Sequence, residues 1–161
     1  MPEAVANTTP LLYLHRIQAI HWLRTVFTSI WVPTAVAGEL AEGRRKGYDA
    51  PDVGLLTWLQ SVEPRSTPHE WLTLDLGPGE LAAMALALEN PGRVLLLDDA
   101  LARRTAQAAG LTVWGTLRIL LESKSAGLTE RVAPLLGRLR DTGMWISDDV
   151  GERILRLARE A

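Results

Sequence analysis

The chain of 161 residues contains no cysteine. That excludes disulfide scaffolds, thiolate zinc sites and cysteine nucleophiles. Lysine is nearly missing as well: of 17 basic residues only Lys46 and Lys124 are lysine. Set against 19 acidic residues, the net charge is −2. A broad positive field of the kind that coats nucleic acid non-specifically is therefore absent, although a local basic strip is allowed. Long apolar runs are missing too. The charge-free stretch Thr25–Gly38 has 14 residues and includes Pro33, whereas a spanning helix needs about 20. The N-terminus lacks the basic-then-apolar layout of a signal peptide, so a cytoplasmic protein is expected. There is no GxGxxG and no Walker loop, which argues against dinucleotide and nucleoside triphosphate enzymes. His15, His21 and His69 are scattered, with no HExxH or other metal spacing.

What remains is the composition of a folded domain, with 47% hydrophobic and 22% charged residues. The length suits one domain, residues 1–161, able to bury roughly 70% of the surface its unfolded form exposes. Met1–Ala6 reads as a strand. Asn7-Thr8-Thr9-Pro10 then reads as a helix start, with Thr8 or Thr9 as cap and Pro10 in the first turn. A short helix follows over 19–27, and Ser29–Val32 is β-branched and aromatic, hence a strand. Pro33-Thr34 opens a helix carrying Glu39 and Glu42, and 43–52 is a loop. Residues 53–59 suggest a helix and 60–62 a short extended piece. Gly77-Pro78-Gly79-Glu80 starts an Ala/Leu-rich helix that Asn90-Pro91-Gly92 stops.

The VLLL run of 94–97 is of the type buried on both faces of a parallel sheet. Asp98-Asp99 caps the next helix, and 111–114 is another strand. Gly115-Thr116 opens a helix to about 126. Thr129 caps one more, over 130–140, with Pro134 delaying its start. Residues 144–146 are extended, and Ser147-Asp148 caps the last helix, to 159. The C-terminal helical segment, 129–161, is expected to pack on the same domain. Strands alternating with helices define an α/β fold with three α/β/α layers and a central, mostly parallel sheet.

Open parallel sheets bind ligands beyond the carboxyl ends of their strands. Asn7 follows the first strand, Asp98 and Asp99 follow the VLLL strand, Glu80 lies in a first helical turn, and Glu39 lies in the helix after the second strand. Carboxylates converging on one cleft raise each other's pKa unless a cation offsets them. Oxygen donors suit Mg²⁺ or Mn²⁺, and such a metal supports phosphoryl chemistry. The same residues have structural explanations. An aspartate caps a helix, Glu80 favours the helix dipole, Glu39 and Glu42 form a solvated face, and Asn7 suits a turn.

Six blocks carry a resemblance: VANTTPLLYL (5–14), VPTAVAGEL (32–40), LGPGELAAMALAL (76–88), VLLLDDALARRTAQAAGL (94–111), GTLRILLESKSAGL (115–128) and MWISDDVGERILRLA (144–158). In this order they resemble the PIN domain family, in a toxin-like (VapC-like) subgroup, over most of the chain. The resemblance implies a metal-dependent ribonuclease, the toxin of a toxin–antitoxin pair, with an RNA substrate, a small antitoxin partner and homodimer formation. Carried over residue by residue, the acidic positions fall on Asn7, Glu39, Glu80 and Asp98, holding Mg²⁺ or Mn²⁺, with Asp99 as an auxiliary ligand. Thr116 lies in a matching block without a role. Asn7 departs from the usual Asp: an amide oxygen can ligate Mg²⁺ but brings no charge. The alternative is therefore a catalytically silent RNA- or partner-binding protein.

Phosphate affinity calls for basic residues near the acids. Arg44, Arg45 and Lys46 are candidates in the loop after the Glu39 helix, and Arg104 beside Arg103 is another. Arg103 reads more readily as a solvated face. Trp22, Trp31, Trp58 and Trp114 lie in apolar segments. Trp71 and Trp145 are the better interface candidates. A phosphoacceptor domain ranks last, because its paired acids should follow the first strand.

Overall fold

The computed structural model describes residues 1–161. Five short strands, β1 (Glu3–Ala6), β2 (Ser29–Val32), β3 (Leu59–Ser61), β4 (Val94–Leu96) and β5 (Val113–Trp114), form one sheet. Every pairing is parallel and the order is β3-β2-β1-β4-β5. Eight helices connect and follow them: α1 (Thr8–Arg16), α2 (Leu23–Val26), α3 (Thr34–Arg45), α4 (Pro78–Glu89), α5 (Ala100–Ala108), α6 (Thr116–Ser125), α7 (Ala133–Asp141) and α8 (Asp148–Leu157). No helix is long and apolar enough to cross a membrane.

The layers follow from the period of two in a strand. Ala4, Ala6, Ile30, Val32, Val94 and Leu96 point to one face and share a core with α1, α3, α6, α7 and α8. Val5, Leu95 and Leu97 point to the other face and pack on α4 and α5. A sheet covered on both faces is why β1 and β4 read as unbroken apolar runs. The C-terminal residues Leu135, Leu136, Leu139, Ile146 and Ile154 belong to the first of these cores.

Several element boundaries differ from the sequence reading, each for a local reason. Helix α3 runs on through Arg44 and Arg45, which were expected in a loop. Glu42 pairs with Arg45 and Lys46 on its last turn, basic residues suit a helix C-terminus, and Gly47 at φ 91° ends it. Residues 53–59 form only a 3-10 turn, Val53–Leu55, before Leu59 is drawn into β3 opposite Ile30. Sheet pairing outweighs helical propensity there. Helix α7 begins at Ala133 with Pro134 in its first turn, and the Thr129 hydroxyl donates to the Arg131 carbonyl instead of capping. Residues 144–146 pair with no strand. Asn7 occupies the cap position of α1, and Thr8 points elsewhere.

The N-terminus of α7 is capped from the end of the chain. The Glu160 carboxylate accepts from Val132 N (2.7 Å), Ala133 N (3.0 Å) and Lys124 Nζ (3.0 Å). Burial opposes its charge, yet these donors bring its pKa down to about 2. Glu160→Ala strips two helix N–H groups of their partner and leaves the half-buried Lys124 with the Ala158 carbonyl alone. The expected cost is about 2–3 kcal/mol, a fall in Tm of roughly 5–10 °C. A thermal melt checks it, and an unchanged Tm contradicts the role.

Candidate metal site

Strand order reverses between β1 and β4: the chain builds β2 and β3 on one side of β1, then β4 and β5 on the other. Such a switch point leaves a crevice beyond the strand ends. Asn7 N donates to Leu96 O (3.0 Å), so the β1–β4 ladder carries Asn7 to the lip of that crevice. Asn7 is 2% exposed. Its Oδ1 has no hydrogen-bond donor, which is costly for a buried acceptor.

Pro33 ends β2 and starts α3, placing Glu39 on the second turn. The Glu39 carboxylate accepts from the Thr8 hydroxyl, the residue after Asn7, and from Gly79 N (2.8 Å). Glu39 thus ties α1, α3 and α4 together at one point. A Cβ on Gly79 would lie 2.5 Å from Glu39 Oε2, so this approach requires glycine.

Glu80 is the third residue of α4. Its Oε1 accepts from Gly77 N (3.1 Å), half of a capping box. Its Oε2 is buried with no partner. Burial raises the Glu80 pKa first, and Asp99, Glu39 and Asp75 add to the rise against the Gly77 bond. Glu39 and Glu80 are neighbours: a Cβ on Gly77 would stand 3.4 Å from Glu80 Oε1 and 4.0 Å from Glu39 Oε1.

Asp98 follows β4, and the sequence left it undivided from Asp99 as a cap. The structure separates them. Asp99 caps α5 by accepting from Ala102 N (2.9 Å). Asp98 reaches across to the start of α6, accepting from Thr116 N (2.8 Å) and Thr116 Oγ1 (2.7 Å). Burial raises the Asp98 pKa, while the Thr116 bonds and Arg103 pull it back.

No three His, Asp or Glu side chains stand together closely enough to share a cation. The structure joins Glu39 and Glu80 around Gly77 and Gly79, and holds Asp98 by a separate pair of bonds on Thr116. The two orphaned oxygens, Asn7 Oδ1 and Glu80 Oε2, are both hard acceptors. One is neutral and one belongs to a carboxylate crowded by other carboxylates. This donor set fits a divalent cation with oxygen preference.

Thr8, Gly79, Thr116 and Arg103 were not picked out as site residues from the sequence. Thr8 and Thr116 each stand next to a strand end, which was the available signal. Arg103 was read as a solvated face. It is half-buried, its Nε has no partner, and it stands beside Asp98. A Cβ on Gly115 would touch both, at 3.0 Å from Asp98 Oδ1 and 3.6 Å from Arg103 Nη1. The other basic candidates are near the surface. Arg44 pairs with Asp52 (2.9 Å), Arg45 and Lys46 pair with Glu42, and Arg104 is exposed. Trp71 is 5% exposed and belongs to the α4–α5 core, which removes it as an interface candidate. Trp145 is 84% exposed.

The raised pKa values of Glu80 and Asp98 set a pH dependence. Each binds a proton more tightly folded than unfolded. Each therefore adds stability that is full below its ordinary carboxylate pKa and is lost as pH rises through its raised folded value. Without metal, Tm is expected to rise as pH falls from neutral toward the ordinary carboxylate range. Glu160, with its pKa lowered to about 2, gives up its contribution only in stronger acid. A Tm that falls over the upper interval contradicts this assignment.

The geometry defines a class: a parallel α/β domain with a buried amide and a buried carboxylate oxygen left without partners beyond its strand ends. The sequence model of the PIN domain family matches residues 3–160, and the chain belongs to that family. PIN domains are in general metal-dependent nucleases that use divalent cations. No curated protein matches the chain.

Proposed function

We propose that this PIN domain is an Mg²⁺- or Mn²⁺-dependent ribonuclease and the toxin of a toxin–antitoxin pair. The observation that carries the catalytic reading is the pair of buried, donor-free oxygens, Asn7 Oδ1 and Glu80 Oε2, at the switch point. Asn7 and Glu80 would give the ion their unpartnered oxygens, and Glu39 and Asp98, with Asp99 beside them, would move in to complete its ligands. When bound, the ion supplies an activated water at neutral pH and neutralises charge on the phosphate. The chain's own residues do the positioning. Thr8 and Gly79 orient Glu39, Gly77 orients Glu80, and Thr116 orients Asp98. These bonds fix the carboxylates' starting positions, and Glu39 and Asp98 must still move inward to share an ion with Glu80.

Asn7→Asp tests the assignment of the first position. It restores a charge to the ligand set, so Mn²⁺ affinity and RNA cleavage are expected to rise about tenfold. Calorimetry and a cleavage assay read the two effects. If both fall, Asn7 does not belong to the site.

The second reading is a silent protein that keeps the fold and binds RNA or a partner. Two observations favour it: the uncharged Asn7, and the absence of three ready acidic ligands. It expects no cleavage at millimolar Mn²⁺. The antitoxin and the homodimer rest on the resemblance, together with exposed apolar side chains such as Leu55, Leu72 and Trp145.

A further inference from the structure

We infer that single-stranded RNA runs from the acid site along the groove between α6 and α8. This rests on the ribonuclease reading above. The groove measures about 440 Å³, and Asp98 and Gly115 line it. Arg103, Arg118 and Arg153 also line it, and Asp98 is its only acid. Leu117, Leu121 and Ile154 make much of the apolar part of its lining.

The three guanidinium groups differ in what already engages them. Arg103 is half-buried beside Asp98, with a buried Nε that has no partner. Arg153 is exposed and makes no ion pair within 4.0 Å. Arg118 gives Nε to Glu122 (2.8 Å) and lies 4.8 Å over the Trp114 ring, which leaves its terminal nitrogens unbonded. Arginine suits phosphate because its fork offers paired donors.

Met144 closes one side of the groove, and Trp145 follows it in the chain, 84% exposed. Apolar and aromatic surface beside a basic track is how proteins hold single strands: cations follow the phosphates and bases stack without sequence preference. A protein segment would use the apolar lining but would leave three arginines beside a phosphodiester-cleaving centre unexplained. The cations favour the polyanion.

The test uses a fluorescent single-stranded RNA of about 12 nucleotides, the full chain, and EDTA so that no cleavage occurs. Anisotropy is measured across salt for the parent protein, the double variant Arg118→Glu/Arg153→Glu, Trp145→Ala and Arg24→Ala. All substituted side chains are exposed, and melts confirm folding. The double variant is expected to bind at least about tenfold more weakly, with a salt slope shallower by about 1.4, corresponding to two lost phosphate contacts. Trp145→Ala is expected to lose about tenfold with its slope unchanged, and Arg24→Ala to lose nothing.

Parent affinity and slope in the double variant overturn the groove as the RNA path. An equal loss in Arg24→Ala also overturns it. Cleavage with Mn²⁺, run in parallel, separates this from the ribonuclease reading. Cleavage by the parent together with undiminished binding by the double variant rejects the groove alone. Binding that falls in the double variant without any cleavage by the parent rejects the nuclease alone. No RNA binding by the parent rejects both.

Discussion

Glu80→Gln is expected to reduce metal-dependent RNA cleavage by at least about 100-fold while the protein stays folded. The substitution isolates one oxygen. Glutamine keeps an acceptor for Gly77 N, as glutamine does in other capping boxes, so α4 retains its start. It replaces the buried, unpartnered Oε2 with an amide and removes a charge that burial and three neighbouring carboxylates already disfavour. Without metal the variant should therefore melt at or above the parent Tm at neutral pH. Its Tm should also vary less as pH falls from neutral toward the ordinary carboxylate range, because one of the two raised groups is gone. Loss of cleavage with a lower Tm would assign Glu80 a structural role instead.

The second large effect is expected from a single methyl group. Gly79→Ala places a Cβ 2.5–2.7 Å from both oxygens and the carboxyl carbon of Glu39. Backbone positions at the start of α4 are fixed by the helix, so Glu39 must rotate away. It then gives up the Gly79 N–H and the Thr8 hydroxyl together. The expected result is about 1–3 kcal/mol of lost stability and a cleavage rate lower by roughly 10- to 100-fold, since a misplaced ligand costs on that order. Gly38→Ala, on α3 beside Glu39, is the control. A Cβ there meets nothing within 4 Å, so it should be neutral or stabilise the helix by about 0.5–1 kcal/mol. Equal effects from both substitutions would show that loss of glycine itself matters, and not the contact with Glu39.

Much of the architecture was legible because burial on both faces leaves a plain trace. The VLLL run and Ser29–Val32 both became parallel strands, and the Gly77–Gly79 turn opened α4 as read. Residues 53–59 were misread because β3 is short and half-polar, and only its pairing with β2 makes it a strand. The site residues that follow strands were also readable, since a parallel sheet puts them at one edge. Their partners were not. Thr116 lies 18 positions from Asp98, and Gly79 lies 40 from Glu39. No local period encodes such distances; the crossovers set them. Arg103 was misjudged for the same reason. Its neighbour Arg104 is exposed, and only the docking of α5 against the Gly115 turn turns Arg103 inward.

Titration of the metal-free protein with Mn²⁺ by calorimetry tests the central claim most directly, with Glu80→Gln alongside the parent. The account predicts saturable binding by the parent at or below millimolar Mn²⁺ and at least about tenfold weaker binding by the variant. No binding by the parent at millimolar metal, or equal binding by the two proteins, would contradict a metal site at the β1–β4 switch point.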